Sequence, residues 1–341
     1  MNYNNSEVKM QNYPKVSIVM PTFNGLELLK MSIPALLRTN YPNFEVIVVD
    51  NGSTDGSVSF LSKEHPSVSV VSLKENIGIV KAYNLGASMS HGTLLSFLSN
   101  DMEVDPDWLT PLVFAMQSNE RIACCDPKYL DYYDRRRIDH SGGAGKFVDK
   151  YGNPVNRGGG EIDTGQFDVQ EEVFYGLLLY RKNLLMKVGG FDESFFGWFD
   201  ETDLSWRLQR LGYKVLYVPK SVVYHMGSAS SSVKGPKKKP KKISMFHYYK
   251  NKLRTIIKNQ FGMSLVSSII VYLVDLCGIS AYWILTGDQD YIPVLGKALI
   301  WNLKHLRGTL QNRIRFKNES MNFKKLLLPY SGVWKWLFAS L

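Results

Sequence analysis

Cysteine is scarce here: three residues in 341, two of them the neighbours Cys124 and Cys125. That number cannot build a disulfide framework, and a reducing compartment fits best. The opening stretch Met1 to Lys15 is polar and lacks an apolar signal segment, so export is not expected. Acid is nearly missing from the last third. Residues 233–341 carry 19 Lys/Arg against 4 Asp/Glu, a balance of +15, whereas residues 1–232 carry 22 against 27, a balance of −5. The net charge of +10 is therefore a property of one end of the chain. Charged residues are only 21% and hydrophobic ones 45%, which excludes wholesale disorder and allows a substantial core. No internal repeat is found, and the length suits one large domain with an extension, or two domains.

What is present in the first hundred residues is an alternation of short β-rich runs with helical stretches. Lys15–Met20, Phe44–Val49, Val68–Leu73 and Leu94–Leu98 read as strands; Leu26–Thr39, Ser57–His65 and Ile79–Ser90 read as helices, with Pro34 expected to kink or split the first. This order predicts βαβ units in a mostly parallel mixed sheet with helices on both faces. Ligands of such sheets collect beyond the carboxyl ends of the strands. The polar residues at those ends are Pro21-Thr22-Phe23-Asn24-Gly25, Asp50-Asn51-Gly52-Ser53 and Ser99-Asn100-Asp101. Residues 131–172 read as a long ordered loop or small subdomain, followed by an apolar run at Phe174–Tyr180, a helix at Glu201–Leu211 and a strand at Tyr213–Val218.

Four groups of residues can carry chemistry. Asp50, directly after Val46-Ile47-Val48-Val49, can accept hydrogen bonds from a nucleotide base or ribose; the turn after it serves equally as an ordinary strand–helix junction. Asp101 and Glu103 offer hard oxygen ligands to a divalent cation, although the same strand-end acids can cap a helix. Asp200-Glu201-Thr202-Asp203 places three carboxylates in four residues. Clustered acids raise one another's pKa, as a general base near neutrality requires, and acids also suit a helix N-terminus. His225, after Ser221-Val222-Val223-Tyr224, becomes a metal ligand only in company with Asp101, and a lone histidine is otherwise structural.

In combination these motifs resemble family 2 glycosyltransferases of the GT-A fold. The resemblance runs through Pro21–Gly25, Val48–Ser57, Asn76-Ile77-Gly78 and Leu98–Asp101, then Gly189–Phe196, Asp200–Leu204 and Arg207, and covers roughly residues 15–230. Arg157–Gln166 resembles a rhamnosyltransferase-like branch. The resemblance implies a nucleotide-diphosphate sugar as donor, held by Pro21, Thr22, Asn24, Asp50, Ser53, Asn76, Gly78, Lys81 and Asn100. It further implies Mg2+ or Mn2+ at Asp101 and His225, Glu201 as general base, and Trp198, Asp200, Asp203 and Arg207 on the acceptor side. Transfer to a hydroxyl of a glycan or lipid-linked acceptor would proceed with inversion. Two departures stand out: Ser99-Asn100-Asp101 lacks the first acid of the family's Asp-X-Asp segment, and Asp200-Glu201 reverses its usual Glu-Asp order. They motivate the competing expectation of a non-catalytic nucleotide-sugar-binding or scaffold protein on the same fold.

The expected organisation is a tail at 1–14, a catalytic domain at 15–232 (a nucleotide-sugar half at 15–105, an acceptor half at 106–232), a basic linker at 233–245 and a membrane-associated helical region at 246–341. Within the last, His247–Gln260 is a basic helix and Phe261–Leu285 is an apolar run with one charge, Asp275. Asp275, Gly262 and Gly278 favour helices lying in the plane of an anionic membrane on the cytoplasmic face over a true span, with burial against the catalytic domain as the alternative. Nucleic acid is not the expected partner, because phosphate contacts need neither the apolar length nor the terminal Trp334-Lys335-Trp336.

Overall fold

Alternate residues of the first strand point into two different cores. Val16, Ile18 and Met20 join one cluster and Val19 the other; Val46 and Val48 against Ile47 and Val49 repeat the division one strand away. A strand with no polar face has to lie between two covering layers, and the sheet built from such strands is covered on both sides. The computed structural model describes residues 13–227, 241–314 and 327–328.

The first half comprises β1 (Val16–Thr22), α1 (Leu26–Leu37), β2 (Phe44–Asp50), α2 (Ser57–Glu64), β3 (Ser69–Ser72), α3 (Ile79–Met89), β4 (Leu94–Phe97), β5 (Met102–Val104) and α4 (Leu109–Gln117). There follow β6 (Ile122–Asp131), the short strands β7 (Lys146–Asp149), β8 (Pro154–Asn156), β9 (Glu171–Val173) and β10 (Leu179–Arg181), then α5 (Lys182–Lys187), α6 (Asp200–Arg210) and β11 (Lys214–His225). The helices α7 (Lys242–Asn259), α8 (Gly262–Leu285), α9 (Ile292–Lys304) and α10 (Leu306–Ile314) come next, and β12 (Leu327–Leu328) pairs with β7. The main sheet runs β3-β2-β1-β4-β10-β6-β11-β5, with β9 against β11. Pairs among β1 to β4, and β6 with β11, are parallel; β10, β5 and β9 run antiparallel to their neighbours. Leu29, Ile33 and Leu36 of α1 and Leu112 and Met116 of α4 cover one face; Val80 and Tyr83 of α3 and Leu204 and Leu208 of α6 cover the other.

One local expectation changes and two become definite. Pro34 lies inside α1, which is one continuous helix. The run Phe174–Tyr180 is broken between β9 and β10, because the side chain of Asp126 replaces a strand partner: its Oδ1 accepts from the amides of Leu177 and Leu178 at 2.9 and 3.3 Å. Residues 131–172 contain a real hairpin, β7 with β8, joined by β12 into a three-stranded sheet.

The larger correction concerns the tail. Helix begins at Lys242, inside the expected linker, and α7 belongs to the catalytic unit. Its bases are turned inward. Lys258 reaches Asp192 at 2.7 Å and Asp203 at 2.8 Å, Arg254 reaches Asp192 at 3.0 Å, and Asn259 donates to Asp203 at 2.9 Å. Lys250 donates to the carbonyl of Ser194 at 2.6 Å, and Lys252 pairs with Asp275 of α8 at 2.9 Å. Composition alone reads these as surface charge; in the fold they neutralise buried acids.

Burial raises the pKa of Asp192 and Asp203, but the facing Lys258, Arg254 and Arg207 outweigh it and hold both carboxyls below the usual carboxylate range. Stability from this network is present above about pH 4, the unfolded carboxylate pKa, and is lost as pH falls toward the depressed folded values. Removing one partner from a buried ion network costs about 3–5 kcal/mol. Asp203→Ala is accordingly expected to lower the unfolding free energy in urea by that amount at neutral pH, and the deficit should shrink in acid.

Candidate active site

Sheet order reverses around β1, with β2 and β3 on one side and β4 on the other, so the carboxyl ends of these strands open a crevice. A cleft of about 630 Å³ lies there, walled by the β1–α1 loop, the start of α3, the segment after β4, the segment Phe196–Glu201 and His225 at the end of β11.

On the β1–β2 side the loops are laced together. Asn24, in the left-handed region at φ 48°, receives the Thr54 amide on its side-chain oxygen at 2.9 Å, and its own amide donates to the Ser53 hydroxyl at 2.8 Å. Asp55 does double duty: one oxygen accepts the Leu26 amide at 2.8 Å, the other accepts the Ser57 amide at 3.1 Å and hydroxyl at 2.6 Å. Asn100 donates to the Thr22 hydroxyl at 2.9 Å. Gly25 is required beside them, since a Cβ there would sit 2.3 Å from the Asn100 amide nitrogen. Asn76 accepts the Gly78 amide at 2.9 Å, and Gly78, at φ +87°, leaves room for the ring of Phe196.

Pro21, Thr22, Asn24, Asn76, Gly78 and Asn100 thus line one cleft. Asp50, Ser53 and Lys81 do not. Asp50 is wholly buried; its Oδ2 accepts the Ser53 amide at 3.1 Å while its Oδ1 is buried without a partner. Ser53 positions Asn24 rather than facing the cavity.

Asp101 and His225 come together from different strand ends. His225 Nε2 lies 3.4 Å from Asp101 Oδ2, and Nδ1 donates to Asp139 Oδ2 at 3.0 Å. Burial disfavours the charged imidazole, but the two flanking carboxylates override it and raise the pKa to about 9. Asp101 Oδ1 is buried with no hydrogen-bond partner. An orphaned carboxylate oxygen beside an imidazole whose other nitrogen is held by a carboxylate fits a divalent cation. Among the described residues no cluster of three or more His, Cys, Asp or Glu could hold one, so the chain would supply two ligands and leave the others to the bound ligand and water.

Across the cleft, Trp198 and Phe199 both have left-handed backbones, at φ 61° and 65°. Each such residue costs on the order of 1–3 kcal/mol and persists only where its surroundings enforce it. Asn251 of α7 supplies the restraint, donating to the carbonyls of Gly197 and Trp198 at 2.6 and 3.0 Å. The turn half-exposes Trp198 into the cleft and starts α6 at Asp200 and Glu201, both of which line it. Burial pushes both carboxyls up, and the neighbouring Glu201 carries Asp200 to about 7. Lys146, itself buried, opposes the rise at Glu201 from 4.0 Å and also sits 3.3 Å from Asp126. Asp203 and Arg207, expected on the acceptor side, are instead buried: they bond each other at 2.9 Å, and Arg207 donates to the carbonyls of Val188 and Gly190. None of Arg157–Gln166 lines the cleft.

Lys146, Asp126, Asp139 and Asn251 escaped the sequence reading. Lys146 and Asp139 lie in the Gly- and Asp-rich stretch without periodicity, and Asn251 lies in a helix read as basic tail. The signal available was a lone Lys after Ser141-Gly142-Gly143-Ala144-Gly145 and an Asp-His pair at 139–140, both too common to single out.

Comparison with known proteins agrees with this geometry. Residues 17–174 match the model of glycosyl transferase family 2. An O-antigen biosynthesis protein, RfbC, of Myxococcus xanthus is 32% identical over 228 residues, covering 64% of this chain and 18% of that protein. A glycosyltransferase of Haemophilus influenzae is 25% identical over 280 residues, covering 78% and 83%. The chain spans only 28% of another relative, the y4gI protein of Sinorhizobium fredii, at 29% identity. Among solved structures, GalNAc-T7 with UDP, GalNAc and Mn2+ superposes with a TM-score of 0.58 at 18% identity, covering 73% of this chain and 48% of that one. The mannosyltransferase PcManGT of Pyrobaculum calidifontis with GDP-Man and Mn2+ superposes at 0.51 and 16% identity, covering 90% and 89%. Residues 17–174 thus match the glycosyl transferase family 2 domain, and the chain shares the GT-A fold of these solved structures.

Proposed function

We propose that this chain transfers a hexosyl or deoxyhexosyl group from a nucleotide-diphosphate sugar to a hydroxyl of a glycan or lipid-linked acceptor, with inversion, in the synthesis of a cell-surface glycan. The observation that carries the reading is that Glu201, a carboxylate whose pKa is raised, and His225, which Asp101 backs at 3.4 Å, line one cleft. The ligands of the two related structures, UDP with Mn2+ and GDP-Man with Mn2+, support the same donor class and Mg2+ or Mn2+ as cofactor.

Asp101 and His225 would hold the cation, which when bound neutralises charge on a departing diphosphate. Asp139 fixes the His225 ring so that Nε2 faces Asp101. Thr22, Asn24, Asn76 and Asn100 supply polar contacts to the nucleotide, and the amide end of α3 at Gly78 favours an anion. Asp50 would meet a base or ribose only once the loop at 51–53 shifts, since it is buried beside the cleft. Trp198 offers a flat apolar face to a sugar ring. Glu201 takes the proton from the acceptor hydroxyl as the oxygen attacks the anomeric carbon and the carbon–oxygen bond to the diphosphate breaks. Burial keeps both carboxyls protonated to higher pH than a free carboxylate; at Glu201 Lys146 limits that effect and Asp126 adds to it.

Three outcomes test the reading. Glu201→Gln keeps shape but cannot accept a proton, so single-turnover transfer should fall roughly 10²–10⁴-fold while nucleotide affinity holds. If it transfers at the native rate, Glu201 is not the base. The single-turnover rate should also fall as pH drops through the raised pKa of Glu201, an acid limb above the ordinary carboxylate range. Asp101→Ala should abolish the Mn2+ dependence of nucleotide binding in calorimetry, and unchanged metal dependence would remove Asp101 from the metal site.

A further inference from the structure

Helix α8 has two faces of opposite fate. Ser268, Tyr272, Asp275, Leu276, Ile279 and Trp283 are buried, in a cluster with Tyr249, Leu253 and Ile256 of α7 and Leu295 and Ala298 of α9. The other face carries Met263, Val266, Ile270, Val274, Ile284 and Leu285, exposed by 48% to 86%, at helical spacing from the first turn to the last. Twenty-four residues make a row roughly 36 Å long. Its helix holds one charge, Asp275, and that charge points inward to Lys252. An unbroken exposed apolar row of this length marks an interaction surface.

We infer that the outer face of α8 docks on an anionic lipid bilayer, lying in the plane of the surface with its apolar side chains at the boundary of headgroups and acyl chains. The inference is independent of the transfer reaction. Charge selects the occupant. Lys241, Lys297, Lys304 and Arg307 are exposed on or beside the flanking helices, as is Lys242 in its pair with Asp290, and none of these belongs to the inward-facing bases of α7. An anionic surface attracts that charge. A second copy of the chain seated on the same row would bring two such segments together and be repelled.

By length and composition α8 could cross a membrane. Crossing would require stripping it from α7, opening the buried Lys252–Asp275 pair, or else carrying Lys250, Lys252, Arg254 and Lys258 into hydrocarbon with it. Docking by the outer face requires neither, and leaves every buried contact in place. It also fixes the cleft relative to the surface, because α7 links α8 to Trp198 through Asn251 and to Asp203 through Lys258.

The test is flotation of the full chain with vesicles of phosphatidylcholine containing phosphatidylglycerol and with phosphatidylcholine alone. Binding should require the anionic lipid, weaken in high salt, and be released by alkaline carbonate. Ile270→Glu with Val274→Glu should weaken binding at least about tenfold without changing the melting temperature. Ile270→Ser with Val274→Ser, a milder pair, should weaken it in the same direction if the acidic pair fails to fold. Equal binding by the folded variants overturns the inference. So does resistance to carbonate, which would mean a span, or a native dimer in sedimentation that the same variants dissociate, which would mean a second copy.

Discussion

The ion network joining Lys258 to Asp192 and Asp203 is the constraint on which the α6 wall of the cleft depends. Two carboxylates at such depth would be intolerable without cations to match them, and the cations come from a helix some fifty residues later in the chain. Asp203 stands in the first turn of α6, and Asp192 begins the segment leading to Trp198. Clamping both to α7 fixes the direction in which α6 enters and hence where Asp200 and Glu201 project. Such networks add little net stability over an apolar replacement, but a wrong arrangement of charges is heavily penalised, so what they provide is a single position for the elements they join.

Within four residues the same helix shows opposite electrostatic behaviour. Asp203 faces Lys258, Arg207 and Asn259, and its carboxyl stays ionised well into acid. Asp200 is buried and Glu201 partly so at the cleft wall, and with Lys146 as the cation beside them their carboxyls are pushed up. Helix position therefore does not decide which acid can exchange protons near neutrality; the residues opposite do. The two left-handed residues before α6 serve the same division, turning Trp198 and the two poised acids to the cleft while Asp203 is turned to α7.

The sheet was legible because its strands are apolar runs ended by polar turns, and a local pattern suffices for that. The cleft residues at Thr22, Asn24, Asn76, Asn100, Glu201 and His225, and Asp101 behind His225, were legible for the same reason: each lies at or close to a strand end or a helix start. Asp50 was placed correctly on its strand but not in its burial, since whether the loop after it stands open is decided by Asn24 and Ser53 reaching across from two different loops. Asp203 and Arg207 went astray because an acidic cluster gives no sign of which member meets a distant lysine. The basic helix was misread for the converse reason. Lys252, Arg254 and Lys258 look solvated in a sequence and are paired only in three dimensions, with acids at 192, 203 and 275, while Lys250 donates to the Ser194 carbonyl. Lys146 and Asn251 act through groups more than fifty residues away from them or at bends that no periodicity announces.

The two helix starts held by Asp55 bear on the order in which the chain can fold. Helix α1 has no side-chain cap of its own: Gly25 precedes it, and the amide of Leu26 is satisfied by a carboxylate from beyond β2. Nucleating a helix is costly, and an unsatisfied first turn makes it costlier. Helix α2 receives its cap from the same side chain two residues before Ser57, a purely local contact available as soon as that stretch is extended. The second helix can therefore start alone, whereas the first is completed only after β1 and β2 have come into register and delivered Asp55. A segment nearer the amino terminus thus matures after one that follows it.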